Sequence, residues 1–375
     1  MNRIERLEEL GQSVWLDYLD HELLTTGELG RMAEKEGLRG VTSNPTIFEK
    51  AIAKSTAYDA AIREAEPDES DGHVLEALMT RELMRACDEL RACYERLGGA
   101  DGFASIEVDP TLANDTPGQI EQALRLWETV DRPNLMVKIP ATRPGVTAIR
   151  ACLGHGVNIN VTLLFSVSRY REVLEAFLAG LEHRAAANER LDDVASVASF
   201  FVSRVDAKVD ALLDEASPLR GRVAVANARL AYAEYEKMLA TPRWKALAAR
   251  GARPQRLLWA STTPKQKDVA DTYYVDALVG PNTVDTMTRE TLEAFTEHGD
   301  PQDRLHGAAE EAERTMKELA AAGVDFAKVA AELEDEGVAA FAESYEESLR
   351  AIADKRSFGS SEAAKVRPWI GSPPR

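Results

Sequence analysis

Residues 135–142 read LMVKIPAT, a short apolar run with a lysine near its centre. Lysine is almost never fully buried without a partner, and Lys138 stands between Val137 and Ile139. Two readings follow. Either Lys138 lies on an exposed edge strand, the commoner outcome across proteins, or its ammonium is held in a partly desolvated site where the neutral amine becomes accessible and nucleophilic. The fold implied by the flanking sequence decides between them.

Seven more short apolar or alternating runs accompany this one: VWLDY (14–18), GVTSN (40–44), FASIEVD (103–109), VNINVTLLF (157–165), VASVASFFVS (194–203), RLLWAST (256–262) and VDALVG (275–280). Between most of them lie stretches of helical period and good helix formers, such as TPGQIEQALRLWETV. Strand–helix alternation repeated about eight times predicts a parallel sheet, and eight units point to a closed (β/α)8 TIM barrel over an open doubly wound sheet. No Gly-rich dinucleotide fingerprint follows the first strand, which weakens the open-sheet alternative. Residues 46–97 and about 286–355 exceed a minimal barrel and read as additional amphipathic helices packed outside it. With no convincing internal boundary, 1–375 reads as one barrel domain carrying these two helical elaborations, followed by a Ser-, Gly- and Pro-rich tail.

Composition narrows the function. The chain has 63 acidic and 45 basic residues, a formal net charge of −18, with the acids scattered through helical stretches. Nucleic acid or an anionic membrane surface would need concentrated Lys and Arg, so neither is expected as a partner. No apolar run approaches the length of a membrane span, and the start, MNRIERLEELGQS, reads as an ordinary first helix with no signal-peptide core. Cys87, Cys93 and Cys152 offer no disulfide framework or zinc pattern, which makes a cytoplasmic setting the expectation. The six histidines form no HxH or HExxH arrangement, so no metal and no cofactor are expected.

Alternation sends every second strand residue to one face. Asn158, Asn160 and Thr162 oppose Val157, Ile159, Val161 and Leu163; Ser105, Glu107 and Asp109 oppose Ala104, Ile106 and Val108. Thr42 and Asn44 oppose Val41 and Ser43, Asp17 opposes Leu16 and Tyr18, and Lys138 opposes Val137 and Ile139. The outer face of a barrel strand packs on helices and should be aliphatic. Five polar faces should therefore converge inward at the mouth, where such barrels place their sites. Singly, each residue has a duller reading: Asp17 as a cap, Asn44-Pro45 as a turn, Asn160 as a satisfied core amide. A lysine in such a mouth, without metal or cofactor, points to imine chemistry with a carbonyl substrate.

The blocks VWLDYL, GVTSNPTIF, ASIEVDP, LMVKIPAT, NINVTLLFS, ASFFVSRVD and LLWAST, in that order, resemble transaldolase, most closely the longer bacterial type, from about residue 10 to 290 with the C-terminal helices included. The resemblance implies a (β/α)8 barrel whose Lys138 forms a Schiff base with a ketose phosphate. It implies transfer of a dihydroxyacetone unit from sedoheptulose 7-phosphate to glyceraldehyde 3-phosphate, giving erythrose 4-phosphate and fructose 6-phosphate in the pentose phosphate pathway. Carried over motif by motif, Asp17 handles the proton of the hydroxyl beside the cleaved bond. Glu107, through a water positioned with Thr162, serves as acid and base for carbinolamine and imine. Asn44, Asn160 and Ser199 hold hydroxyls of the three-carbon unit. Arg204 resembles the family's phosphate-binding arginine, and Lys265, with Lys267 as a neighbour that could substitute, falls where the longer relatives carry a second cation. Thr263-Pro264 departs from the family pattern of Gly followed by a small residue.

Two rivals remain. A class I fructose-6-phosphate aldolase would release free dihydroxyacetone; the shorter enzymes of that kind carry tyrosine where this chain has Glu107, which favours transfer. A non-catalytic barrel serving as a binding scaffold would tolerate loss of Lys138 or Glu107, yet both are present. The expected partners are sugar phosphate substrates, and the sequence leaves the oligomeric state open, a homodimer being among the options.

Overall fold

The computed structural model describes residues 2–66, 68–266 and 269–365, with side chains through Ser357 in the last helix. LMVKIP forms a strand buried at every position because it lies inside a ring of eight parallel strands and has no open edge. The strands are β1 (Gln12–Leu16), β2 (Leu38–Thr42), β3 (Phe103–Glu107), β4 (Leu135–Pro140), β5 (Ile159–Leu164), β6 (Ser196–Phe201), β7 (Arg256–Ala260) and β8 (Thr283–Met287), closed in chain order with β1 pairing β8. The fold is a (β/α)8 TIM barrel with additional helices, as the alternation predicts.

The eighth strand is a correction. VDALVG does not form a strand: its first part belongs to the short helix Tyr273–Ala277, and Leu278 and Val279 pack in the core beyond it. The strand is TVDTM, where Thr283, Asp285 and Thr286 interrupt the apolar signal that marks the other strands. The C-terminal helical block accordingly begins after Met287, with helices Arg289–His298, Ala309–Ala321 and Phe326–Lys365.

At the N-terminal end the barrel is plugged. Trp15 Nε1 donates to Asp101 at 2.8 Å, and Arg256 Nη1 donates to Ser13 Oγ at 2.8 Å. Gly40 makes room for the indole, since a Cβ there would come within 2.6 Å of two Trp15 ring carbons and 2.8 Å of the Phe103 carbonyl oxygen. Overpacking of that kind would distort the sheet, so glycine is dictated by close approach.

The two helical elaborations meet across the opposite, C-terminal end. From the first come helices Pro45–Lys54, Asp59–Glu64 and Asp71–Arg96. The long Phe326–Lys365 helix straps them to the barrel mouth: Thr46 Oγ1 lies 2.8 Å from Ser344 Oγ, Lys355 donates to Ser55 O at 2.7 Å, and Arg356 donates to Asp71 at 2.6 Å. On its other side Lys208 bonds Glu332 and Glu336 at 2.9 and 2.5 Å. Leu163 adopts φ +55°, an unusual state for a bulky residue, where the β5–β6 register shifts. The strap accommodates it through Gly337, whose Cβ would come within 2.8 Å of the Leu163 side chain.

Candidate active site

Closing the barrel brings residues on and just beyond β1, β2, β4, β5 and β6 into one cleft of about 960 Å³, lined by Asp17, Thr42, Asn44, Lys138, Thr162, Ser199, Arg204 and Lys265 among others. Glu107 of β3 reaches Lys138 from beneath and lines a small neighbouring cavity. The floor of the cleft is set by strand register. Lys138 pairs Glu107 across β3–β4 and Asn160 across β4–β5, so the three share a level and a face.

Lys138 is 5% exposed, and its Nζ donates to the Ser43 carbonyl oxygen at 2.9 Å. Nζ also lies 3.3 Å from Glu107 Oε2, an ion pair without good hydrogen-bond alignment, since that oxygen takes no hydrogen bond. Burial pushes the Glu107 carboxyl above the usual carboxylate range, Lys138 pulls it back, and Asp17 raises it further. Thr162 Oγ1 is likewise buried without a hydrogen-bond partner among the described residues.

Asp17 follows β1 directly. Burial raises its carboxyl as well, opposed by Lys138, by the Thr42 hydroxyl that donates to it at 2.8 Å, and by Arg204. Two buried carboxyls, both raised by burial and both opposed by the same lysine, form the kind of cluster that acid–base sites use.

The amide and hydroxyl positions form a belt. Asn160 Nδ2 donates to Ser105 Oγ at 3.1 Å, and Ser199 Oγ donates to Asn160 Oδ1 at 2.7 Å. Asn44 combines both of its readings: it caps the helix Pro45–Lys54 by accepting the Ile47 N–H at 3.0 Å, and it lines the cleft.

Arg204 enters the cleft from the helix Ser203–Asp210. That helix is anchored by buried Asp206, which accepts from Ala224 N–H at 2.8 Å and Tyr274 Oη at 2.9 Å. The guanidinium lies 5.3 Å from the centre of the Phe201 ring and makes no hydrogen bond or ion pair with the described residues. Burial disfavours its charge, and Asp17 supports it. A half-buried arginine without a carboxylate is suited to an incoming anion. Lys265 is exposed at the rim, on a loop fastened where Thr263 Oγ1 meets Thr291 Oγ1 at 2.7 Å. Lys267 lies outside the described residues.

Two inward-facing expectations do not reach the mouth. Asp109 lies beyond the end of β3 and caps the turn Pro110–Leu112 by accepting the Thr111 N–H at 2.8 Å. Asn158 precedes β5 and ties neighbouring strands together, donating to Pro133 O and Leu135 O and accepting from Ala195 N–H. Sequence reasoning missed Thr286, because β8 was misplaced. It also missed the Ser43 carbonyl oxygen, which has no side-chain signature, and Phe341 of the strap, which lines the cleft from far along the chain.

Among the described residues no group of three or more His, Cys, Asp or Glu is placed to hold a metal, and no helix is long and apolar enough to cross a membrane. The profile of the Transaldolase/Fructose-6-phosphate aldolase family matches residues 14–352. A protein named Transaldolase from Saccharopolyspora erythraea is 48% identical over 359 residues, covering 94% of this chain and 98% of that protein. Another of that name, from Mycolicibacterium smegmatis, is 48% identical over 352 residues, covering 92% of this chain and 95% of that protein. The closed barrel, the buried lysine between two carboxyls and a match spanning most of the sequence agree: the chain belongs to the transaldolase/fructose-6-phosphate aldolase family.

Proposed function

We propose that this enzyme transfers a dihydroxyacetone unit from sedoheptulose 7-phosphate to glyceraldehyde 3-phosphate, giving erythrose 4-phosphate and fructose 6-phosphate, through an imine on Lys138. The observation that carries the residue assignment is the Lys138 ammonium between the Ser43 carbonyl oxygen and Glu107, with Asp17 beside it in the cleft. The amine, after giving up a proton, adds to the ketone carbon to form a carbinolamine. Loss of water then leaves an iminium. Glu107 Oε2 and Thr162 Oγ1, both buried and without hydrogen-bond partners, support a shared water through which Glu107 gives and takes these protons.

Asp17 removes the proton of the hydroxyl on the carbon beyond the scissile bond. The electron pair of that carbon–carbon bond flows into the iminium, the aldose phosphate leaves as an aldehyde, and an enamine remains on Lys138. An acceptor aldehyde reverses the steps, Asp17 returns the proton, and hydrolysis of the new iminium releases fructose 6-phosphate. Asn44, Asn160 and Ser199 bind hydroxyls of the retained three carbons, while Arg204 and Lys265 take the phosphate. The same reading places the enzyme in the cytoplasm as a homodimer, which sedimentation velocity checks.

Fructose 6-phosphate supplied with and without erythrose 4-phosphate tests the reading. With the acceptor, sedoheptulose 7-phosphate and glyceraldehyde 3-phosphate should form rapidly; without it, free dihydroxyacetone should appear far more slowly. Release as fast as transfer would replace the transferase by an aldolase.

A further inference from the structure

Asp17 is held through hydroxyls that reach back to the last barrel strand. Thr42 Oγ1 donates to Asp17 Oδ1 at 2.8 Å and lies 2.8 Å from Thr286 Oγ1. A threonine hydroxyl carries one proton. Thr42 commits its proton to the carboxylate, so the donor at the second contact is Thr286. Both threonines are buried, at 3% and 5% exposure, and both line the cleft. The backbone reinforces the arrangement, because the Asp17 N–H donates to the carbonyl oxygen of Met287, the residue after Thr286, at 2.7 Å.

We propose that Thr286 is a positioning residue for Asp17: by donating to Thr42 it fixes the Thr42 proton toward the carboxylate, which aims that carboxylate at the substrate hydroxyl. This rests on the assignment of Asp17 as the acid–base of bond cleavage. Without the Thr286 hydroxyl, Thr42 keeps its proton but loses the partner that dictates where the proton points.

The charged groups around Asp17 are the Lys138 ammonium from β4, the Arg204 guanidinium from the helix after β6, and the Glu107 carboxyl from β3. Arg289, the cation that follows β8, is already committed to Glu28 at 3.0 and 3.2 Å and to the Tyr18 ring. Burial drives the Asp17 carboxyl up, and the Thr42 hydrogen bond is among the forces that lower it. Weakening that bond therefore raises the Asp17 pKa. Because Asp17 must be ionised to accept a proton, the acid limb of the rate profile moves to higher pH.

The test compares the pH dependence of kcat/KM for fructose 6-phosphate with erythrose 4-phosphate in the wild type, Thr286→Val, Thr286→Ser, Thr42→Val and the Thr42→Val/Thr286→Val double variant. Thr42→Val should move the acid limb up by about one pH unit, the effect of one hydrogen bond to a charged group. Thr286→Val should move it by roughly half that, costing about threefold on the limb. Thr286→Ser should retain the wild-type profile, and the double variant should match Thr42→Val. If the valine variant fails to fold, Thr286→Ala carries the comparison. An unmoved limb in Thr286→Val, an equal shift in Thr286→Ser, or an additive double variant overturns the proposal. Borohydride trapping of the substrate on Lys138, measured in parallel, should be equal across the set. Trapping without the limb shift sinks only the role of Thr286, whereas a wild type that does not trap at Lys138 sinks the underlying reading as well.

Discussion

Arg204→Ala should separate phosphate recognition from carbon–carbon chemistry. The guanidinium is half-buried in the cleft and has only the Phe201 ring, 5.3 Å from the guanidinium carbon, as a described contact. Little is lost from the free protein when it is removed: a cation–π contact contributes about 0.5–1 kcal/mol, so the melting temperature should fall by less than about 3 °C. The substrate phosphate, by contrast, can accept two parallel hydrogen bonds from the planar fork, each worth about 1.5–3 kcal/mol when charge-assisted. Taking the lower figure for each, because a partly exposed dianion keeps some of its water, the loss is about 3 kcal/mol, or roughly 150-fold in kcat/KM. Arg204→Lys keeps the charge without the fork and should lose about tenfold. The assay is kcat/KM for fructose 6-phosphate against unphosphorylated fructose, with a common acceptor at fixed ionic strength. Fructose should lose only a few-fold, the share that reflects the support Arg204 gives to ionised Asp17. Equal losses for both substrates, or a large fall in melting temperature, would refute the reasoning and make Arg204 a structural residue.

Gly40→Ala should destabilise the barrel by about 2–3 kcal/mol, since the new methyl meets the Trp15 ring and the Phe103 carbonyl; an unchanged urea midpoint would contradict this. Burial pushes the Asp285 carboxyl up to about 8, against about 3.9 in an unfolded chain. The folded state thus binds a proton the unfolded state lacks between roughly pH 4 and 8, and stability falls as pH rises through that window. Asp285→Asn keeps the acceptor for Thr262, 2.9 Å away, and should raise the melting temperature at pH 8 but not at pH 4; an equal change at both would count against it. Glu107→Tyr replaces the carboxyl beside Lys138 by a phenol, the group the shorter aldolases carry there. The ratio of free dihydroxyacetone released to transfer product should rise, and an unchanged ratio would remove Glu107 from the control of outcome.

Strand identity was legible wherever a strand was mostly apolar on its outer face, as in LMVKIP and NINVTLLF. There, period-two alternation alone put Lys138 and Thr162 on the wall of the cleft and Asn160 on the same side of the sheet, bonded to Ser105 and Ser199. It failed at β8. Three of the five residues of TVDTM are polar, and the apolar VDALVG upstream is buried through a helix and a turn. Thr286 was lost with that strand. Alternation also ran past the strand ends, assigning Asp109 and Asn158 to a face that the backbone had already left. The helical elaborations could be read as helices, but nothing local in the Phe326–Lys365 sequence says that it crosses the mouth. Its place depends on distant partners such as Ser55, Asp71 and Lys208. The free state of Arg204 was equally invisible, because it depends on which carboxylates the fold withholds.

The central claim is that Lys138 carries the substrate. Borohydride reduction of the protein in the presence of fructose 6-phosphate, followed by peptide mass mapping, tests it most directly. The account predicts a dihydroxyacetone-derived mass added to the peptide containing Lys138 and to no other lysine, and none in Lys138→Met. Labelling at a different lysine, or no labelling while transfer proceeds, would contradict it.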